Sequence, residues 1–317
     1  NNYNYIYIAI RRPHKPPEAG TDVFAVQDGR SASDGTASQS TYTSGFPVDM
    51  IMRHTKASDS TRTVVFDRLR GENYLLSHGD ADEASGDFIL FDDMDGVYRS
   101  SVSANTGLFA HMFKRAPGVF DCLTYVGTGA SRSLSHNLGV APELIIVKRR
   151  DSTEDWGVDL VSESENGRLN TTAKFGTGLL FDNGITSTTI STTNIGSVHN
   201  ASGADYIAYL FATRAGISKV GVYAGQTGTA KNIDCGFTAG ARFVLIKNIS
   251  TIADWYLWDS TRGIVSGNDP FLYLNATSAE VTNTDYIDPL NAGFTITSSA
   301  PIAINRTNQN FLFLAIA

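Results

Sequence analysis

The chain has 317 residues, of which 42% are hydrophobic and 10% aromatic, so it can bury sizeable cores in two to three domains. Charged residues make up only 18%, against about 25% in an average soluble domain. The formal net charge of −7 argues against a nucleic-acid-binding surface. No apolar run approaches the roughly 18 residues that a transmembrane helix needs, so we expect no membrane insertion.

The chain opens on an apolar segment that predicts a β-strand. Residues 5–10 (YIYIAI) are closed by two arginines and a proline at 11–13. Similar closing strands occur at 108–117 and 206–216, and a fourth forms the last residues, 311–317. Four closing strands with only three complete bodies indicate that the first strand ends an earlier repeat. We therefore expect a preceding region, either in a longer polypeptide or missing from this chain.

A predicted hairpin occurs twice at a spacing of 99 residues. An apolar strand ends at Lys148 and is followed eight residues later by Trp156; a second strand ends at Lys247 and is followed eight residues later by Trp255. An apolar strand, a polar turn and a Trp-led strand are typical of a β-hairpin. A hairpin that recurs at a long fixed period indicates an array of similar domains.

The three bodies share further sequence features. Asp67–Gly71 and Asp259–Gly263 both read Asp-x-x-Arg-Gly, whereas the second body keeps Asp159 but lacks the Arg-Gly. No window of 12 or more residues has a helical period. Short strands with a turn about every ten residues, in units of about 100 residues, favour β-sandwiches.

We therefore predict an all-β fold, a tandem array of about three β-sandwich domains of jelly-roll or lectin-like type. The last strand of an earlier repeat precedes them. The predicted boundaries are 1–21 for that strand and a Pro-rich linker, 22–117 for repeat 1, 118–216 for repeat 2 and 217–317 for repeat 3.

Several segments resemble an uncharacterised module that occurs in tandem in virion proteins of marine tailed bacteriophages. The similarity rests on 115–121 (RAPGVFD), 125–129 (YVGTG) and 135–149 (SHNLGVAPELIIVKR), and related segments extend it over essentially the whole chain. The resemblance implies a tail fibre or other tail-associated structural protein. It supplies no catalytic residues.

Candidate metal sites are weak in this sequence. The acidic run 92–96 (DDMDG) has the character of a calcium loop, but it lacks the bidentate glutamate at the twelfth position. None of the six histidines lies at metal-ligand spacing from another, and neither Cys122 nor Cys235 joins them. We expect a plain turn, no metal, no cofactor and two unpaired cysteines.

The sequence signals for catalytic residues are also weak, and we predict that the protein is not an enzyme. Ser77 precedes His78 and Ser135 precedes His136, but a catalytic triad is assembled in space, so adjacency carries no weight. No G-x-S-x-G nucleophile elbow is present. A carboxylate pair for glycoside cleavage cannot be chosen among 32 acidic residues.

One aromatic run could stack on sugar rings. Strand alternation places Trp255 on one face and Tyr256 and Trp258 on the other. Trp156 matches Trp255 and Phe66 matches Trp258, so these four side chains are predicted core anchors. Tyr256 is left as the expected exposed ligand contact.

The favoured functional hypothesis is a structural virion protein located on the phage tail and extracellular once assembled. Three bodies would stack along an axis as a tail fibre or tail-tip component, and many copies would bind host-surface glycans or receptors with avidity. Exposed, the apolar residues 311–317 would aggregate, so we expect them inside a sheet or against another copy. We therefore expect a homo-oligomer, with a trimer favoured, and other tail proteins as partners.

Two alternatives stay open. One is a bacterial surface protein that binds or processes carbohydrate, which predicts a concave cleft lined by aromatic and acidic side chains. The other is a capsid decoration protein built from the same modules.

Overall fold

The computed structural model describes residues 16–31, 41–59, 63–86, 89–99, 104–182, 184–193 and 196–317. Within these ranges the chain has 24 β-strands and two 3₁₀ turns, Gly20–Asp22 and Val161–Glu163. The predicted all-β fold is confirmed. The strand predicted at 5–13, and with it the proposed end of an earlier repeat, lies outside the described residues. None of the helical segments described has the length and apolar character needed to cross a membrane.

Repeat 1 folds into a large and a small antiparallel sheet. Its strands are β1 (Phe24–Arg30), β2 (Tyr42–Thr43), β3 (Met50–Thr55), β4 (Thr63–Asp67), β5 (Tyr74–Leu76), β6 (Ile89–Leu90), β7 (Gly96–Arg99) and β8 (Asn105–Phe113). The large sheet has the order β1-β8-β3-β4-β5, and the small sheet has the order β2-β7-β6.

Repeat 2 has the same organisation. Its strands are β9 (Phe120–Val126), β10 (Arg132–Ser135), β11 (Leu144–Arg149), β12 (Gly157–Leu160), β13 (Glu165–Arg168), β14 (Gly176–Thr177), β15 (Thr189–Thr192) and β16 (Asp205–Phe211). The large sheet has the order β14-β13-β12-β11-β16-β9, and the small sheet pairs β10 with β15.

Repeat 3 completes the set. Its strands are β17 (Ser218–Ala224), β18 (Lys231–Asp234), β19 (Phe243–Asn248), β20 (Trp255–Asp259), β21 (Leu272–Tyr273), β22 (Ile287–Leu290), β23 (Gly293–Ile296) and β24 (Asn310–Ile316). The large sheet has the order β17-β24-β19-β20-β21, and the small sheet has the order β18-β23-β22.

In every repeat the closing strand lies between the opening strand and the first strand of the central hairpin. Equivalent cross-strand pairs align the repeats: Met50 with Phe113, Leu144 with Phe211, and Phe243 with Ile316. The apolar carboxyl-terminal strand β24 is therefore buried between β17 and β19 of its own chain. One of the two placements expected for it, inside a sheet, is confirmed.

The large sheets are buried on both faces. Their inner faces pack into one apolar core shared by all three repeats, with Phe113, Trp156 and Leu314 among its members. The outer face of each large sheet packs against residues of its own repeat, including those of its small sheet, in three separate outer cores. Strands covered on both sides read as continuous apolar runs. Each repeat is thus a sandwich, and the three sandwiches surround a common axis.

Main-chain hydrogen bonds between repeats close a ring. One bond of the same kind lies at each of the three interfaces: Glu83 N–H donates to Arg150 O (2.8 Å), Phe175 N–H to Ile249 O (3.1 Å) and Glu280 N–H to Lys56 O (2.8 Å). They join repeat 1 to repeat 2, repeat 2 to repeat 3, and repeat 3 back to repeat 1. The arrangement is a pseudo-threefold ring within one chain, so the expected stacking of bodies along an axis is wrong.

The two repeated tryptophans are core anchors, as predicted. Trp156 is 1% exposed and Trp255 is 0% exposed. Each indole N–H donates to a carbonyl of the preceding repeat, from Trp156 to Leu76 and from Trp255 to Arg168, both at 3.0 Å. The tryptophans therefore link neighbouring sandwiches as well as fill the shared core.

We expect the chain to unfold in a single cooperative transition, because the inner core is formed jointly by all three repeats. Trp156→Ala, in repeat 2, should lower the free energy of unfolding of the whole chain by about 3–5 kcal/mol. Trp156→Phe keeps most of the apolar volume and should cost about 1 kcal/mol for the lost hydrogen bond. Urea denaturation followed by circular dichroism measures both. A variant in which repeat 2 melts while the others stay folded would contradict a shared core.

Candidate functional site

The structure places Tyr256 inside the molecule, so its expected exposure is wrong. The side chain is 5% exposed, and its ring centroid lies 5.7 Å from that of Trp258 and 5.1 Å from that of Phe271. Alternation assigned Tyr256 to the correct face, opposite Trp255, as their separate clusters show. The error arises because the outer face is covered by the rest of its sandwich. Tyr256 is therefore a core residue of repeat 3.

The other sequence candidates have structural contacts. In the acidic turn, the Asp95 amide donates to Asp93 Oδ1 at 2.9 Å, an ordinary turn bond. Cys122 and Cys235 are buried and unpaired, as predicted. Over the described part of the chain, no three His, Cys, Asp or Glu side chains are grouped so as to hold a metal ion.

The serine–histidine neighbours also hold the fold together. The Ser77 hydroxyl donates to the Leu274 carbonyl of repeat 3 at 2.6 Å, which makes it a link between repeats. His136 Nδ1 accepts from the Leu138 amide at 3.2 Å, within the loop that leads to β11. Each of these bonds stabilises a loop or an interface, and neither activates a nucleophile.

A buried charged network joins repeat 1 to repeat 2. Asp67 and Arg70, both fully buried, form a salt bridge at 2.5 Å, and the Tyr209 hydroxyl donates to Asp67 at 2.7 Å. Arg70 also lies 3.4 Å from Glu83, which pairs with Arg150 of repeat 2 at 2.8 Å. Burial by itself would raise the pKa of Glu83, but Arg150 and Arg70 hold it below its ordinary value. The network satisfies charges that the apolar interior would otherwise exclude.

An equivalent network joins repeat 3 to repeat 1. Asp259 pairs with Arg262 at 2.5 Å, and Arg262 also contacts Glu280. His111 Nε2 lies 3.1 Å from Asp259 Oδ2, where Tyr209 contacts Asp67 in the first network. His111 Nδ1 in turn lies 3.0 Å from His54 Nε2.

The second network contains a hydroxyl, two imidazoles and a carboxylate in series. Thr63 Oγ1 lies 3.0 Å from His54 Nδ1, which completes the series Thr63, His54, His111 and Asp259. A similar order of groups activates the nucleophile of hydrolases. Here all four side chains are 0% exposed, so a substrate has no path to the hydroxyl. The series therefore serves to close the ring.

The third interface, between repeats 2 and 3, is apolar at the same positions. The registers align Leu160 with the two aspartates, and Leu314 with Tyr209 and His111. Both leucines belong to the shared core. The repeat that lacks the Asp-x-x-Arg sequence thus faces a neighbour that lacks the polar partner. The sequence comparison retained Asp159 as the aspartate of the second body, but the registers put Leu160 at that position, so repeat 2 lacks the aspartate as well as the Arg-Gly.

We expect that the polar set between repeats 1 and 2 can be replaced only as a unit. Asp67→Leu alone leaves Arg70 buried without its main partner and should cost about 3–5 kcal/mol of unfolding free energy. The triple variant Asp67→Leu, Arg70→Met, Tyr209→Leu imitates the apolar interface and should recover most of that loss. Chemical denaturation compares the variants. A triple variant no more stable than the single one would refute this interpretation.

Two buried lysines explain why the hairpin sequence repeats. Lys148 and Lys247 are 0% exposed. Their ammonium groups donate across the interface to the carbonyls of Asp80 and Thr172, each at 3.1 Å. Burial lowers the pKa of both to about 8. Each lysine, like each tryptophan eight residues later, therefore binds the preceding repeat.

Asp159 and His199 are two buried groups of repeat 2 whose pKa values are shifted in opposite directions. Asp159 accepts the amides of Leu180 and Phe181, each at 2.9 Å, and burial raises its pKa to about 7. His199 lies 2.8 Å from the Thr193 hydroxyl, and burial lowers its pKa to about 4. The two groups have opposite effects on stability as the pH changes.

The folded chain retains a proton on Asp159 between about pH 4 and 7, where the unfolded chain has lost it, so ionisation destabilises the fold as pH rises. Asp159→Asn removes this effect. Its unfolding free energy, relative to the wild type, should rise by up to about 1.4 kcal/mol per pH unit in that window. His199 contributes stability above about pH 6.5 that is lost as the pH falls towards 4. His199→Asn should therefore show the opposite relative slope, and equal slopes in urea titrations would contradict both assignments.

One sandwich edge differs from the other two. The registers place three residues at the same position of the opening strand, each opposite a residue of the closing strand: Gln27 with Ala110, Leu123 with Ala208, and Gly221 with Phe313. In repeat 1 the amide of Thr43, on the small sheet, donates to Gln27 Oε1 at 2.7 Å and ties the two sheets together. In repeat 2 Leu123 packs against the outer core. In repeat 3 Gly221 provides no side chain to do either.

The open edge forms a shallow groove of about 440 Å³ between β17 and β18, which we call the repeat 3 groove. Its lining residues are Lys219, Gly221, Val222, Tyr223, Ala224, Lys231, Asn232, Ile233, Asp234 and Phe313. A Cβ on Gly221 would lie 2.7 Å from the Phe313 ring, so the glycine allows that ring to pack beneath the edge strand. By contrast, the cavity on the pseudo-threefold axis holds only about 40 Å³ and is lined mainly by core side chains such as Met52, Ile146 and Leu245. Of these two spaces, only the groove can receive a ligand from solvent.

Sequence comparison places most of the chain in one family. Residues 92–317, which include all of repeats 2 and 3, match the family described as Domain of unknown function (DUF7483). No curated protein matches the chain.

Proposed function

The chain belongs to the DUF7483 family, and we propose that it is a non-enzymatic structural protein of a tailed-phage virion. Its place would be the tail fibre or tail tip, outside the host cell. It would contribute to attachment by binding glycans of the host surface, and it would contact other tail proteins.

The observation that carries this proposal is the closed ring of three sandwiches. Each repeat donates main-chain bonds to the next, and all three contribute to one core. Such a body cannot lose one repeat without exposing the apolar inner faces of the other two, which suits a protein exposed to mechanical load and to the medium. The resemblance to tandem modules of phage virion proteins supports the same role.

A homo-oligomer, with a trimer favoured, is part of the proposal. The carboxyl-terminal strand no longer argues for it, because β24 is covered within its own sheet. Avidity still favours several copies. Weak glycan contacts hold a particle only when several copies bind at once.

One alternative has a specific observation in its favour. The repeat 3 groove is a ligand-sized recess at the single sandwich edge where the opening-strand position is a glycine. A carbohydrate-binding surface protein of a bacterium would use the same recess. The aromatic-lined acidic cleft expected for this alternative differs from the groove, whose lining includes two lysines and one aspartate.

The proposal predicts that antibodies against the chain label the tails of phage particles in electron microscopy. It also predicts that the soluble chain, added in excess, slows adsorption of those particles to host cells. The heat-denatured chain is the matched control and should not compete. Light scattering of the soluble chain gives the number of copies. Labelling of the capsid would favour decoration, and particles without label would refute a virion role.

A further inference from the structure

The repeat 3 groove contains two cations without a partner. Lys219 and Lys231 line it, and in the described structure neither forms a hydrogen bond or an ion pair through its side chain. Both are only partly exposed. Strand alternation puts Lys219 on the face of β17 shared with Tyr223, and Lys231 on the face of β18 shared with Ile233, towards the space between the sheets. Two unpaired ammonium groups in one recess attract a single anion.

The other repeats provide an internal comparison. Asp121 stands where repeat 3 has Lys219, and it is paired with Arg115 at 2.5 Å. Arg132 stands where repeat 3 has Lys231, and its guanidinium donates to the Val126 carbonyl. In repeat 2 the first position thus carries a paired carboxylate, and the guanidinium at the second already donates to a carbonyl of its own repeat. Among the described residues, repeat 3 alone combines the open edge with two cations that lack a hydrogen-bond partner, so the difference from repeat 2 is local to this sandwich.

We propose that the repeat 3 groove binds an acidic saccharide unit, a sugar ring that carries a carboxylate, in a polysaccharide of the host surface. Lys219 and Lys231 bind the carboxylate. The Asn232 amide donates to a ring hydroxyl, since its Oδ1 already accepts from Thr295 at 2.9 Å. Asp234 uses Oδ1 for the Gly236 amide at 2.8 Å, which leaves Oδ2 to accept from a second hydroxyl.

A saccharide chain, unlike a compact inorganic anion, is long enough to reach side chains on both faces of β18. Asn232 and Asp234 alternate with Ile233, so they lie on the outer face of β18, away from the two lysines. A ligand that reaches all four side chains must span the edge of the small sheet and offer a charge at one end and hydroxyl groups at the other. A uronate polysaccharide has that distribution of groups, with the carboxylate of one ring and the hydroxyl groups of that ring or of its neighbour. This assignment rests on the proposed adhesive function and names its ligand class.

The test is isothermal titration of the intact soluble chain with uronate oligosaccharides built from galacturonate, glucuronate or mannuronate. The matched ligand control is the methyl ester of each, which has the same rings without the charge. We expect binding of at least one acid form that weakens by at least about tenfold in its ester. The variant Lys219→Ala, Lys231→Ala should lose affinity by a similar factor. Lys174→Ala, at an exposed lysine of repeat 2, should bind as the wild type does.

Equal binding of acid and ester, or unchanged binding by the double lysine variant, would overturn the assignment. So would a wild-type chain that binds none of the oligosaccharides while still competing for phage adsorption, and in that case the adhesive function would stand. The chain could instead bind the acid forms while antibodies against it leave phage particles unlabelled and the soluble chain does not slow adsorption. That result would support the assignment of the groove and refute the virion role. The lysine variants are surface changes, so circular dichroism should show that they fold.

Discussion

The whole structure depends on burying both faces of three large sheets. A β-sheet with one polar face can stand against solvent, but these sheets have apolar side chains on each side. The small sheets cover the outer faces, and only the other repeats can cover the inner faces. The closed ring follows from this constraint, because three sheets around an axis leave no inner face exposed. It also explains why the closing strands are apolar at nearly every position, as in 311–316.

The polar groups at the inner surface show how the ring tolerates sequence change. Asp67 contacts Tyr209 and Asp259 contacts His111, whereas Leu160 and Leu314 occupy the equivalent positions at the third interface and belong to the shared core. A buried carboxylate without a partner would cost several kcal/mol, whereas a pair of leucines needs no partner. Changes at one repeat are therefore constrained by its neighbour across the interface. Two residues in contact across an interface can differ together from one interface to the next, while the main-chain bonds that close the ring are present at all three.

Much of the fold could be predicted from the sequence, and the reasons for the errors are physical. The spacing from Lys148 to Trp156, repeated 99 residues later, gave the hairpin and the tandem organisation, and alternation assigned Tyr256 to its correct face. The alternation of side chains along a strand does not show how many layers pack on a sheet. Tyr256 therefore reads as exposed from the sequence, although the rest of its sandwich covers it. Pattern also carries no information on how repeats pack, since linear stacking and a ring use the same strands. A signal for the groove did exist. Aligning the opening strands of the three repeats puts Gly221 at the same position as Leu123 and Gln27. That alignment can be made only when the strand registers are known.

The residues that open the groove and the residues that close the ring lie on opposite faces of the large sheet of repeat 3. Phe313 fills the outer core of repeat 3 beneath Gly221, whereas repeats 1 and 2 have alanine at that position of the closing strand. A large central residue with a small edge residue keeps the packed volume nearly constant, which cores tolerate. The exchange moves apolar volume from the edge to the centre and frees the space between the sheets for Lys219 and Lys231. Because it lies on the outer side of the large sheet, it leaves the shared core and the bonds between repeats unchanged. A ring closed on its inner faces can therefore specialise one outer edge for a ligand without altering the contacts that hold it together.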